Sequence, residues 1–450
     1  MSRHSTATTY LGIILLAVCG RICMPGGNVI PGHVMPIGAH SDERDARTWR
    51  TVQTDFPAIM GTFPPNVMPE EILSDHPERL RAVICSQSNP LRSYADTTMY
   101  EKAFKRLDLL VTVELAMTET AALSHYVLPS RSAYESWDSS FFAWTYPEIY
   151  FQMRRPVVEP EGEGLEAGQI MVLLADRLGM IPEIPVSLNE AAKGGDRITY
   201  GAELMRFAGS HPEVVKNLPF VLAKTLGEHV GSANLAALWG MLQVMPPEFV
   251  QSAARVGFKP GPTLGEDLFC AILDHPEGLW VGKCDPDDNF SMLRTEDRRV
   301  NIHIPEMADW IGSITAENEK RELARDKKYP FILFAGRHMD MNANTLMRDP
   351  SWNEGRRACT AAMHPADAEK WGFTDGQRVK VSTEAGQVEV ELEVTDSTRR
   401  GVVVIPHGFG LEYEGKVYGA NVNRLTKNTH RDKFAATPLH RYVPCRVEAM

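Results

Sequence analysis

The stretch GQRVKVSTEAGQVEVELEV (residues 376–394) decides the fold of the last third of this chain. Apolar and polar side chains alternate through GQRVKVST and again through QVEVELEV, the period of two expected of half-buried strands. Between them, Glu384-Ala385-Gly386 supplies the turn of a hairpin. GVVVIP (401–406) adds a further strand, and PFILFAGR (330–337) is strand-like as well. Strands this short and closely spaced predict a compact, barrel-like β domain over residues 326–450.

Earlier in the chain the rhythm is different. RAVIC (81–85) reads as a short buried strand, followed by SQSNPLRSYAD (86–96), a loop rich in turn formers. Tyr100, Ala103, Phe104 and Leu107 recur at helical spacing. LDLLVTV (107–113) is a second strand, TETAALS (118–124) a short helix, and YVLP (126–129) a third strand stopped by Pro129. Such alternation predicts a parallel sheet with right-handed crossovers, so residues 1–185 read as an α/β body. Residues 131–165 hold an aromatic cluster (Trp137, Phe141, Phe142, Trp144, Tyr146, Tyr150, Phe151) suited to core or domain packing. A helix with Ile170, Leu173, Leu174 and Leu178 on one face follows, with Gly179 as its C-terminal cap. Residues 186–325 read as mainly helical, a continuation of the body. The acidic run CDPDDN (284–289) lacks the glycine and distal glutamate of a calcium loop and reads as a solvated turn.

At 450 residues the chain has room for two or three domains. Its 43% hydrophobic and 23% charged residues are a globular balance. A formal net charge of -11 argues against wrapping nucleic acid but not against anionic ligands, which helix N-termini and backbone amides bind without net charge. Seven cysteines (19, 23, 85, 270, 284, 359, 445) show no CxxC spacing, so neither an iron–sulfur cluster nor a structural zinc is announced, and they read as buried or incidental thiols. Tyr10–Cys19 is too short for a membrane span. A secretory signal is one reading of it. Val18 before Cys19 and the lack of an A-x-A-like site favour a buried helix ending near Gly20.

The chemistry concentrates in loops. Ser86, Gln87, Ser88 and Asn89 follow a strand of the α/β body, where open sheets bind ligands. Hydroxyls, an amide and backbone N–H groups there suit a phosphate or a purine edge. This loop with TETA and VLP, the GRICMPGGNVIPG loop (20–32) holding Gly26 and Gly27, RRPVVEPEGE (154–163) and LADRLG (174–179) recur in order. They lead to GRHMDMNANT (336–345), HPADA (364–368), HGFG (407–410) and YGANVNRLT (418–426). That succession resembles the molybdopterin oxidoreductases of the dimethyl-sulfoxide-reductase superfamily, in their C-terminal portion.

The resemblance implies a body joined to a β-barrel domain of the double-psi type. It implies a bound molybdopterin guanine dinucleotide with molybdenum or tungsten, and oxygen-atom or electron transfer on an unknown substrate. Gly336, Arg337, His338, Asn344 and Thr345 would reach the dinucleotide, Arg337 at its diphosphate. His364 and Asp367 would lie at a helix start, where a carboxylate suits the guanine amino edge; His364 departs from the family's usual Asn. His407, Gly408, Asn421 and Asn423 complete the implied set. The family's cluster domain and metal-ligand segment have no counterpart in these motifs. The resemblance therefore places any iron–sulfur cluster in a missing N-terminal part or a partner, and names no metal ligand here. An N-terminal half or an iron–sulfur electron-transfer subunit is the implied partner. His33, His125 and His338 are candidate acids or bases, although a lone His is more often a structural hydrogen bonder. A noncatalytic subunit of the same fold, or a secreted binding protein, are the competing readings.

Overall fold

The computed structural model describes residues 3–30, 48–59, 61–139, 145–293, 295–338, 341 and 347–450. The chain divides into two units, each discontinuous in sequence. One comprises Met1–Gly12, Gly38–Val127 and His303–Met450, the other Ile13–Ile37 and Leu128–Ile302. The three expected segments are therefore regrouped: the sheet near residue 100 and the C-terminal domain fall in one unit.

In that first unit, β1 (Ala82–Ser86), β2 (Leu109–Glu114) and β3 (Tyr126–Pro129) form a sheet in that order. β1 and β2 run parallel, with Ser86 level with Val113. Helices Thr97–Phe104 and Glu119–Leu123 connect them. Asp96 and Thr118 cap these helices by accepting from Met99 N at 3.1 Å and Ala121 N at 3.2 Å, satisfying N–H groups that a helix start leaves without partners. Tyr100, Phe104 and Leu110 are fully buried between helix and sheet, which explains the helical spacing.

The second unit is mainly helical, as the sequence predicts for 186–325. Six helices between Val186 and Asp274 pack around Tyr200, Leu226, Trp239 and Phe269. Two small antiparallel pairs accompany them: β4 (Asp138–Ser139) with β6 (Met153–Arg154), and β5 (Glu148–Phe151) with β7 (Leu279–Lys283). Trp137 and Tyr146 pack on the helical core, whereas Phe141, Phe142 and Trp144 lie outside the described residues. The run 284–289 enters a short helix, Pro286–Ser291, and is no simple turn.

Two helices carry corrections. Ser5–Val18 is helical as expected but not buried: only Ala7 is enclosed, and Leu15 and Val18 are exposed. Ala167–Arg177 buries Ile170 but exposes Leu173 and Leu178; Gly179 follows with φ +69°, as a C-terminal cap requires.

The barrel completes the first unit. β8 (Phe331–Gly336), β9 (Thr360–Met363), β10 (Arg378–Ser382), β11 (Gln387–Val394), β12 (Val402–Pro406) and β15 (Val443–Ala449) close in the order β10-β11-β9-β12-β8-β15. A small hairpin, β13 (Leu411–Tyr413) with β14 (Lys416–Tyr418), stands outside the barrel. In the opening hairpin Val379 pairs with Val390 and Val381 with Val388, facing the core, so the alternation in sequence is an inside–outside alternation. Burying one such side chain stabilises by about 1.5–3 kcal/mol. Most pairings are antiparallel, but β12 runs parallel to β8, with Pro406 level with Gly336.

Candidate functional site

Parallel pairing brings the carboxyl ends of β8 and β12 to one rim. From it emerge Gly336-Arg337-His338 on one side and His407-Gly408-Phe409-Gly410 on the other. The loops are stitched at their base, where His407 N donates to Gly336 O at 3.0 Å. Arg337 is exposed, and its Nε donates to His407 Nε2 at 2.8 Å. That nitrogen therefore accepts, and the ring proton sits on Nδ1. Burial, reinforced by the Arg337 charge, lowers the His407 pKa and keeps the ring neutral. A neutral imidazole thus aims the guanidinium without cancelling its charge. Gly336 is required by packing, since a Cβ there would come within 2.5 Å of Val404 Cγ1. Gly410 has φ +76°, and a Cβ would meet Asn421 N at 2.6 Å.

The loop after β1 lies in the same unit and touches this rim. Arg92 Nε donates to Gly410 O at 2.8 Å. Ser86, Gln87 and Ser88 keep exposure, with Gln87 in the left-handed region at φ 49° and its N–H donating to Val113 O at 2.9 Å. Asn89, by contrast, is buried. Its amide donates to Glu119 Oε2 at 2.7 Å, and its carbonyl accepts from Thr120 Oγ1 at 2.8 Å. Glu119 in turn takes both Arg348 nitrogens, at 2.9 and 3.0 Å, and the Glu412 N–H at 2.8 Å. Burial pushes the Glu119 carboxyl up, but Arg348, the Glu412 N–H and the Asn89 amide outweigh it and hold its pKa at about 2. Arg92, Glu119, Arg348 and Glu412 were not singled out from sequence. Glu119 was within reach as part of the TETA stretch; Arg348 offers no local signal.

Several expected ligand contacts are occupied inside the protein. Asn421 Nδ2 donates to Thr97 Oγ1 at 2.9 Å and its Oδ1 accepts from Asn423 N at 3.0 Å, while Asn423 Nδ2 donates to Arg92 O at 2.8 Å. Both asparagines are buried and fasten the barrel to the helices beside β1. Asp367 is also buried and accepts the Gly401 N–H, so its carboxylate is engaged within the barrel. His364 caps the helix Pro365–Trp371 by accepting from Ala366 N at 3.1 Å. His125 accepts from Leu110 N at 2.8 Å, a structural use. Gly26 and Gly27 lie in the other unit, in a turn joining Ile22 and Asn28. Asn344, Thr345 and His33 lie outside the described residues. Among the described residues no cluster of three or more His, Cys, Asp or Glu is arranged to hold a metal. No helix among them is long and apolar enough to cross a membrane.

Residues 331–444, the barrel with its rim, match the family described as Molydopterin dinucleotide binding domain, and residues 5–177 match that described as Molybdopterin oxidoreductase. The chain belongs to the molybdopterin oxidoreductase family. Among relatives of this family, F420-dependent formate dehydrogenase 1 subunit alpha of Methanococcus maripaludis is 25% identical over 85% of this chain and 45% of its own length. Trimethylamine-N-oxide reductase of Haemophilus influenzae is 24% identical over 95% of this chain and 50% of its own. The fold is similar to that of acetylene hydratase from Pelobacter acetylenicus, with a TM-score of 0.56 at 19% identity, covering 86% of this chain and 47% of that one. The chain thus spans about half the length of the curated relatives it matches.

The rim has the chemistry a molybdopterin dinucleotide asks for. A cation stands at the ends of two parallel strands, beside a glycine that close packing against Val404 requires. Guanidinium donors suit a diphosphate bidentately. Ser86 and Ser88 add hydroxyls in the neighbouring loop.

Proposed function

We propose that this chain supplies the dinucleotide-holding part of an oxidoreductase exchanging oxygen atoms or electrons at a pterin-bound molybdenum or tungsten, the dinucleotide being the guanine form. The observation that carries the reading is the shared rim of β8 and β12, where neutral His407 aims Arg337 beside Gly336. When bound, the metal–pterin group supplies the two-electron chemistry. This chain's residues bind and orient: Arg337 pairs with the diphosphate, and Gly408, at φ 94°, lets the backbone approach it. His338 and the Ser86–Ser88 loop add polar contacts. Relatives named as alpha subunits support an assembly in which other subunits carry electrons. The names of the relatives differ in substrate, so the oxidised or reduced compound is left unassigned.

The test is retention of cofactor. A charge-assisted hydrogen bond to phosphate contributes about 1.5–3 kcal/mol, so Arg337→Ala should weaken retention of molybdopterin guanine dinucleotide roughly ten- to a hundredfold. Folding should change little, because Arg337 is exposed. Unchanged cofactor content in the reconstituted variant would end the assignment.

A further inference from the structure

We infer that Glu119 is a positioning residue that holds the Ser86–Ser88 loop in register with the His407–Gly410 turn; the inference rests on the dinucleotide reading above. Glu119 touches neither loop tip. It is the point where three segments distant in sequence meet. Its Oε2 accepts from Asn89 Nδ2 at 2.7 Å and Arg348 Nη2 at 3.0 Å. Its Oε1 accepts from Arg348 Nη1 at 2.9 Å and Glu412 N at 2.8 Å. Arg348 Nη1 closes the ring by donating to Glu412 O at 2.5 Å. The Glu119 side chain is only 9% exposed, so these bonds are screened little and leave the carboxylate no alternative partner in solvent.

Two of these segments, those of Asn89 and Glu412, lead directly to a loop of the proposed site. Asn89 ends the SQSN loop, whose other anchor is the bond from Gln87 N to Val113 O. Glu412 lies two residues beyond Gly410, and Gly410 O is itself held by Arg92. One carboxylate therefore fixes the near ends of both loops, and moving either anchor changes the separation of the groups above it. Removing Glu119 leaves Asn89, Arg348 and Glu412 N without their common acceptor, and the two loops lose their shared reference together.

The experiment uses the full chain with guanosine diphosphate as probe, and backbone hydrogen exchange as a readout that needs no ligand. Glu119→Gln is nearly isosteric, but its amide nitrogen would face the Asn89 amide, donor against donor. Expected are faster exchange at both 86–89 and 408–412, by about tenfold, and guanosine diphosphate binding about five- to tenfold weaker, the scale of ordinary coupling between sites. Adding Asn89→Asp returns a carboxylate to the same contact from the opposite side. The double variant should recover both readouts to within about twofold, which a loss of general stability would not do. Arg348→Lys, which keeps the charge but breaks the two-pronged contact, should give a smaller effect of the same pattern and serves if Glu119→Gln fails to fold. Folded variants with wild-type exchange at either loop would overturn the inference, as would weakened binding that the double variant leaves unrestored. Wild-type chain that binds no guanosine diphosphate would sink the dinucleotide reading instead, and exchange alone would then decide whether Glu119 couples the loops.

Discussion

Replacing Asn421 by alanine separates a fastening role from a ligand role. The side chain is 7% exposed and makes three hydrogen bonds: to Thr97 Oγ1 at 2.9 Å, to Leu91 O at 3.4 Å, and from Asn423 N at 3.0 Å. Their losses are unequal. Leu91 O also accepts from Thr97 Oγ1 at 3.2 Å and from Arg92 at 3.1 Å, so it stays satisfied. Asn423 N–H is left buried without an acceptor, at about 1–3 kcal/mol, and Thr97 loses its donor, adding about 1 kcal/mol. The expected destabilisation is thus about 2–4 kcal/mol, a large fraction of the stability of an ordinary domain. Urea unfolding should show a lower midpoint with an unchanged slope. Under conditions where the variant remains folded, guanosine diphosphate affinity should stay within about threefold of wild type, since the amide does not face the ligand. A stability change below about 0.5 kcal/mol together with a tenfold loss of nucleotide affinity would refute the reasoning and return Asn421 to the cofactor contacts.

Two further outcomes follow from geometry and charge. Burial, then the nearby His407, holds the His440 pKa down at about 4 against an ordinary 6.5. The unfolded chain therefore takes up the proton first: this contribution to stability is whole above pH 6.5 and is lost as pH falls towards 4. At about 1.4 kcal/mol per unit, reduced for partial solvation, roughly 2–3 kcal/mol is at stake; His440→Gln should flatten urea midpoints measured between pH 4 and 7. Gly410→Ala forces a Cβ to 2.6 Å from Asn421 N at φ +76°, and should cost about 2–4 kcal/mol in a denaturant titration.

The elements were legible wherever the reason for them is local. Alternation in 376–394 announced the hairpin, because Val379, Val381, Val388 and Val390 each face one core. The strand and helix readings between residues 81 and 129 fall within a few residues of the observed bounds, since Asp96, Thr118 and Pro129 punctuate them. What escaped was any feature set by distant partners. Arg348 meets Glu119 across 229 positions, and neither neighbourhood hints at the other. The motif asparagines at 421 and 423 marked an important place, yet their amides turn inward to backbone supplied from Leu91 and Arg92. The helix Ser5–Val18 was read as buried from its apolar composition, but composition does not say which face has something to pack against.

The parallel contact between β8 and β12 also sets a timetable. Its strands are separated by the whole of β9, β10 and β11, and β8 finds its other neighbour only in β15, Val443–Ala449. Pairings between segments so far apart form slowly, because loop closure must precede any gain from contact. On a ribosome releasing the chain from its N-terminal end, Arg337 emerges early but has no rim to stand on until β12 arrives, and no closed barrel until β15 is free. On the proposed reading, a dinucleotide would find its rim complete only after β15, the last strand of the barrel, has joined β8.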